Sequence, residues 1–264
     1  MTDAVRDEVA RRFALASEVI AAAGALALTF FQQFTTLEVR HKGVQDLVSE
    51  ADVAVERLIR DRLGGAFPGD DFLGEESGYS PTPGALGVWV VDPIDGTQPF
   101  LTGTPTWCVS IAFVRGTQVE FGLVFNPALD ELFAGGVDFP ATRNGRPIAP
   151  STASSLAEGM TYLGASPRVG PEQVVPVLDR LLRANGMFVR IGSGALGLCD
   201  VACGRLIGYV EAHINSWDCL GAVGVLQASG CRVNDFLAGD ALLNGNRIIA
   251  GPPAVYDQLA ALLD

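Results

Sequence analysis

The sequence predicts a layered α/β protein, with an α+β first part and a second part in which strands and helices alternate. Three observations carry this. From Asp3 to about Phe34, apolar residues (Val5, Val9, Phe13, Ala16, Ile20) recur at helical spacing. Two β-rich runs, 107–115 and 118–126, flank Arg115-Gly116-Thr117 in the pattern of an antiparallel hairpin. From about residue 160, strand-like and helix-like segments succeed one another in turn.

After the opening helix the pattern predicts a second helix from about Ala51 to Leu63. A short apolar strand, Trp89 to Asp92, then meets Pro93, and Gly96 opens a tight turn. The hairpin follows, and Asn144-Gly145 marks another turn. Beyond it the order reads strand Met160–Leu163, helix 171–185, strand 187–191, helix 195–203, strand 206–211, helix 218–229, strand 247–250 and helix 254–263. The change of character divides the chain into residues 1–150 and 151–264, two subdomains of one compact unit with a cleft between them.

Composition narrows the function. With 264 residues, 48% hydrophobic and 18% charged, the chain can bury a substantial core, which excludes fibrous and unfolded classes. The net charge of −12 and the lack of any Lys/Arg stripe argue against nucleic acid as a partner. The same acidity means that a phosphorylated substrate could approach clustered carboxylates only across cations. Five cysteines without a C-x-x-C pair suit a reducing cytoplasm. Cys199 and Cys203 lie one helical turn apart and could touch a metal, but small buried thiols explain them better. The longest apolar run, Val19 to Phe31, has thirteen residues, too few to span a bilayer; no small-residue cleavage site ends it, and a buried helix is expected.

The chemistry concentrates in Asp92-Pro93-Ile94-Asp95-Gly96-Thr97. Two carboxylates at a strand end, with Pro fixing φ between them and Gly permitting a sharp exit, can converge on one point. Converging carboxylates call for a cation, and oxygen ligands in a chain with only two histidines favour Mg²⁺ over zinc. Gly74-Glu75-Glu76 and Trp217-Asp218 offer further carboxylates. Taken singly, each has a plainer explanation as a turn or a helix cap.

Four blocks in order resemble the inositol monophosphatase family: Asp46-Leu47-Val48-Ser49-Glu50-Ala51-Asp52, Gly74-Glu75-Glu76, Trp89-Val90-Val91-Asp92-Pro93-Ile94-Asp95-Gly96-Thr97, and Trp217-Asp218 running into a helix that ends at Ser229-Gly230. The resemblance covers nearly the whole chain. It implies a sugar-phosphatase fold of alternating α-β-α-β-α layers and a lithium-sensitive phosphoric monoester hydrolase. Glu75, Asp92 and the Ile94 carbonyl would hold one Mg²⁺, and Asp92, Asp95 and Asp218 a second. A third ion would lie near Glu75. A metal-activated water would attack phosphorus, oriented and deprotonated by Thr97 and Asp52 with Glu75 beside them. Gly96, Thr97, the turn Gly192-Ser193-Gly194, Glu211 and Lys42, the only lysine, would contact the substrate. That substrate is a small phosphate monoester, inositol 1-phosphate first, and the family implies a cytoplasmic homodimer.

Gln98-Pro99-Phe100 departs from the Asn-Phe of inositol-directed members, which keeps histidinol-phosphate phosphatase open as an alternative. A rival from another class is an NAD-binding oxidoreductase. Gly192-Ser193-Gly194-Ala195-Leu196-Gly197 fits a dinucleotide fingerprint, and Glu211 follows about twenty residues on. The intervening helix is short, and the acidic blocks are left unexplained. A member that has lost catalysis is a third possibility, opposed by the presence of every expected ligand.

Overall fold

The computed structural model describes residues 3–34, 39–43 and 46–264, with side chains described outside 39–48. Helix α1 (Asp3–Phe31) leads to the antiparallel pair β1 (Val39–Gly43) and β2 (Asp46–Ser49), then to α2 (Glu50–Ala66). Strands β3 (Asp71–Gly74), β4 (Gly78–Ser80) and β5 (Val88–Asp95) precede the short α3 (Thr97–Leu101). A meander follows: β6 (Cys108–Arg115), β7 (Gln118–Asn126), β8 (Glu131–Gly136), β9 (Phe139–Arg143) and β10 (Arg146–Pro147). Together they form an eight-stranded sheet ordered β10-β9-β8-β7-β6-β5-β3-β4, antiparallel except at β3–β5.

The second half contains β11 (Met160–Leu163), α4 (Pro171–Arg183), β12 (Met187–Val189), α5 (Gly194–Ala202), β13 (Gly208–Ile214), α6 (Leu220–Ser229), β14 (Arg232–Val233), α7 (Ala241–Asn244), β15 (Asn246–Gly251) and α8 (Pro253–Ala260). Its sheet is ordered β12-β11-β13-β15-β14. Helices α1 and α2 pack on one face of the larger sheet, α5 and α6 lie between the two sheets, and α4 and α8 cover the far face of the smaller one. The layers therefore run α-β-α-β-α.

Strand alternation produces this layering. On β5, Trp89 and Val91 enter the core beneath α1 and α2, whereas Val88 and Val90 enter the core shared with α5 and α6. On β13, Tyr209 faces the central core and Val210 the outer one under α4 and α8. Both strands are covered on two sides there, which is why β5 opens on the continuous apolar run Val88-Trp89-Val90-Val91.

Helix α1 starts where the pattern placed it and ends three residues short of Phe34, and by length and composition it could cross a membrane. Here Val9, Ala16, Val19, Ile20, Ala23 and Ala27 are buried in the core beneath it. Its one buried charge, Arg12, is fully engaged. The guanidinium makes paired hydrogen bonds of 2.8 and 2.9 Å to Asp70, which also accepts from the Trp89 indole at 3.1 Å, and it lies 4.4 Å from the Phe67 ring centroid.

The close seat of α6 on the larger sheet depends on missing side chains. A Cβ on Gly122 of β7 would collide with the Gly221 carbonyl, and one on Gly221 would collide with Ser110 Oγ. This contact brings the start of α6 against the strands beside β5.

Candidate active site

Strand β5 ends in an irregularity that sets the site. Asp92 pairs with Ser110 and Asp95 with Cys108, so β5 advances three residues while β6 advances two. In a regular strand, residues 92 and 95 would face opposite sides. The extra residue is a β-bulge that turns Asp95 to the side of Asp92. Pro93 is tolerated there because a bulge frees a ladder donor, and the Ile94 N–H donates to Asp92 Oδ1 at 2.9 Å. Gly96 leaves the strand with φ 96°, and a Cβ there would come within 2.9 Å of the Thr106 carbonyl. The chain then enters α3 at Thr97, whose hydroxyl donates to the Ile94 carbonyl at 3.3 Å.

Other elements bring the remaining carboxylates to the same place. Asp218 lies just before α6, where its Oδ2 accepts from the backbone N–H and the side-chain amide of Asn215, both at 3.2 Å. Carboxylate oxygens of Asp92, Asp95 and Asp218 all lie within 4.8 Å of one another. Glu75 follows β3 and extends its pairing through Glu75 N to the Val91 carbonyl. Its turn is held from below by buried Glu56 of α2, which accepts from the N–H groups of Glu76 and Ser77 at 2.8 and 2.9 Å. Gly74 leaves room for that carboxylate.

Asp95 is held most firmly. Its Oδ2 accepts from Ser193 Oγ at 2.5 Å and Ala195 N at 2.7 Å, and its Oδ1 from Gly194 N at 3.2 Å. Asp95 thus occupies the N-terminus of α5, where the helix field favours an anion. This also removes the dinucleotide reading, because the N–H groups that would bind a pyrophosphate already serve a carboxylate.

These residues line a cleft of ≈ 690 Å³. Of the residues expected from sequence, Glu75, Asp92, Ile94, Asp95, Gly96, Thr97, Gly192, Gly194, Glu211 and Asp218 line it. Ser193 does not; it is fully buried, with its hydroxyl on Asp95. Asp52 does not line the cleft; it sits in a capping box at the start of α2, where its Oδ2 accepts from Ser49 N and Ser49 Oγ. Its Oδ1 is buried with no hydrogen-bond partner among the described residues, and burial pushes its carboxyl up to about 6. Lys42 is on β1, but its side chain lies outside the described residues.

Sequence reasoning missed Arg168, Arg190, Tyr162, Tyr209 and Asn215, which also line the cleft. Tyr162 and Tyr209 stack with centroids 4.6 Å apart, Tyr162 OH accepts from Gly192 N at 3.2 Å, and Tyr209 OH donates to Glu211 at 2.5 Å. Pro99 packs on Gly192, where a Cβ would meet its ring at 2.6 Å. None of these carries a motif. Only Asn215, three residues before Asp218, had a positional hint.

The electrostatics point to a cation. Burial, and then repulsion from Glu75, Asp95 and Asp218, pushes the Asp92 carboxyl well above the usual carboxylate range. Burial, and then Asp95, pushes Asp218 up to about 7. Burial raises Asp95 against its four hydrogen-bond donors, and burial also pushes Glu211 up to about 8. A divalent cation among these oxygens would remove that penalty. Cys108 Sγ, 3.7 Å from Asp95, is kept protonated by burial and the neighbouring charge, so the donor set of the cluster is carboxylate oxygen and fits a hard ion.

Converging carboxylates at the end of a central strand of a layered α-β-α-β-α fold make a site that could hold a metal ion, as a metal-dependent phosphatase requires. The comparisons make it specific. A model of the inositol monophosphatase family matches residues 8–264. The chain is similar to an inositol-1-monophosphatase of Mesorhizobium japonicum, 33% identical over 87% of each chain. It is also similar to the solved extragenic suppressor protein suhB of Bartonella henselae, with 29% identity, a TM-score of 0.88 and coverage of 95% of this chain and 97% of that one. The solved inositol monophosphatase of Anabaena gives 30% identity, a TM-score of 0.81 and coverage of 97% and 96%. The chain belongs to the inositol monophosphatase family and is a phosphoric monoester hydrolase.

Proposed function

We propose that this chain hydrolyses a small phosphate monoester, inositol 1-phosphate first, with Mg²⁺ held by Glu75, Asp92, the Ile94 carbonyl, Asp95 and Asp218. The reading rests on the Asp92, Asp95 and Asp218 oxygens lying within 4.8 Å of one another at the cleft. The name of the Mesorhizobium relative supports the substrate. Two or three bound Mg²⁺ ions would offset the charge of the phosphate and of the pocket and acidify water.

The protein's own groups do the rest. Thr97 orients the attacking water through its hydroxyl, and Asp52 accepts the proton with Glu75 beside it. Backbone N–H groups at Gly96 and Thr97 receive phosphate oxygens, while Gly192, Gly194 and Glu211 meet the leaving group, with Lys42 at the approach. Glu211, aligned by Tyr209 OH, presents a buried acceptor to a hydroxyl. Pro99 on Gly192 replaces a donor with an apolar wall, and this observation makes histidinol phosphate the second substrate to test.

The same reading treats residues 1–150 and 151–264 as subdomains of one catalytic unit, acting as a cytoplasmic homodimer without nucleic-acid or membrane partners. Five free cysteines support a reducing compartment. The edge strand β12 exposes Met187 and Phe188, and α4 exposes Val175 and Leu182, apolar side chains that a second copy would cover. Phosphate release from inositol 1-phosphate, histidinol phosphate, fructose 1,6-bisphosphate and 3′-phosphoadenosine 5′-phosphate, with and without Mg²⁺, tests the substrate. Preference for one of the last two would overturn the small-polyol reading.

A further inference from the structure

Ser193 sits in the middle of a turn at the cleft, between Gly192 and Gly194, both of which line it. Its side chain points the other way. It is fully buried, and its Oγ makes two directed contacts: it donates to Asp95 Oδ2 at 2.5 Å and accepts from Leu196 N at 3.2 Å, as the N-cap of α5. Cys108 Sγ, 3.6 Å away, completes its surroundings. A Cβ on Gly96 would reach Ser193 Cβ at 3.2 Å, so the turn is packed tightly against the exit of β5.

This arrangement fixes Asp95 in rotation as well as position. With Oδ2 taken by Ser193 Oγ and Ala195 N, and Oδ1 only by the longer contact from Gly194 N, the less engaged Oδ1 keeps the lone pair available to a cation. Removing the hydroxyl leaves backbone donors alone to set the carboxylate plane, and ligand orientation of this kind governs metal affinity. We infer that Ser193 is a positioning residue for the cation site of Asp95 and not a contact for the substrate. The inference rests on Asp95 being a metal ligand, as proposed above.

Binding of Mn²⁺, a hard ion with the same oxygen preference, to the substrate-free protein tests it through loss of the free-ion EPR signal. Ser193→Ala removes both the donor and the helix cap. Ser193→Gly removes the donor but leaves a residue well tolerated at N-cap positions. Both variants are expected to weaken one Mn²⁺ site by about tenfold or more, although Ser193→Gly melts closer to wild type, and KM at saturating metal stays within about twofold of wild type for both. Unchanged Mn²⁺ affinity, with or without a raised KM, overturns the inference. So does a loss confined to Ser193→Ala, which would reduce Ser193 to a helix cap. Asp95→Asn is the control: if it too leaves Mn²⁺ binding intact, the metal-ligand reading fails, whereas weakened binding there with normal binding in the Ser193 variants sinks this inference alone.

Discussion

The stability of the metal-free protein should fall as pH rises, and Mg²⁺ should restore it. Asp218 is the clearest group: burial and Asp95 carry it from 3.8 to about 7. A folded-state pKa above the unfolded value means that its stability contribution is fully present below about pH 4 and lost as pH climbs through about 7. Between about pH 5 and pH 8 roughly two pH units of that loss remain, about 3 kcal/mol. Solvent at the cleft mouth screens the charge, so we halve this to about 1.5 kcal/mol. Unfolding entropy of about 2.1 cal/mol/K per residue, over 264 residues, gives about 0.55 kcal/mol per degree. Asp218 by itself should therefore lower the metal-free melting temperature by about 3 °C between those pH values, with Glu211 and Asp52 adding to the fall. Mg²⁺ at a hundred times its Kd adds about 2.7 kcal/mol, or about 5 °C at pH 8, and far less at pH 5, where protons compete for the ligands. Asp218→Asn removes one of the titrating groups and should make the metal-free profile shallower, with Glu211, raised to about 8, keeping part of the slope. Differential scanning calorimetry after chelation, at both pH values, reads all of this. A pH-independent melting temperature with no Mg²⁺ response would refute the argument that the crowded carboxylates are held for a cation.

Other outcomes follow from particular contacts. Thr97→Ala should lower kcat by about a hundredfold while sparing Mn²⁺ affinity, and a change in KM alone would remove Thr97 from the chemistry. Gly122→Ala, which drives a methyl into the Gly221 carbonyl, should cost about 1–3 kcal/mol, seen as a fall of about 2–5 °C; an unchanged melting temperature would contradict the close seat of α6. Arg12→Met leaves Asp70 buried and without its cation, so a loss of about 3–5 kcal/mol is expected, with kcat below the transition unaffected.

The layers were legible because they follow from alternation and length. Trp89 to Asp92 read as a short apolar strand, and the hairpin of β6 and β7 showed itself through Arg115-Gly116-Thr117. Strands β3, β4 and β8 to β10 were not resolved individually, since they are short and take their order from pairing rather than from a period. The site shows the same division. The motif named Asp92 and Asp95, but the bulge that makes them converge depends on the register against β6, residues 108 and 110. Similarly, the turn 192–194 was found, whereas the inward direction of Ser193 follows from a contact with Asp95, 98 residues away. Glu56 gave no sign of supporting the Glu75 turn, because its role exists only where α2 passes under β3.

The central claim is that Asp92 anchors a cation-dependent phosphomonoesterase site, and phosphate release from inositol 1-phosphate by wild type and Asp92→Asn, with Mg²⁺ and after chelation, tests it most directly. Turnover is expected only for wild type with Mg²⁺, and loss of Mn²⁺ binding in the variant without loss of fold. Turnover that survives either chelation or the Asp92→Asn substitution would contradict it.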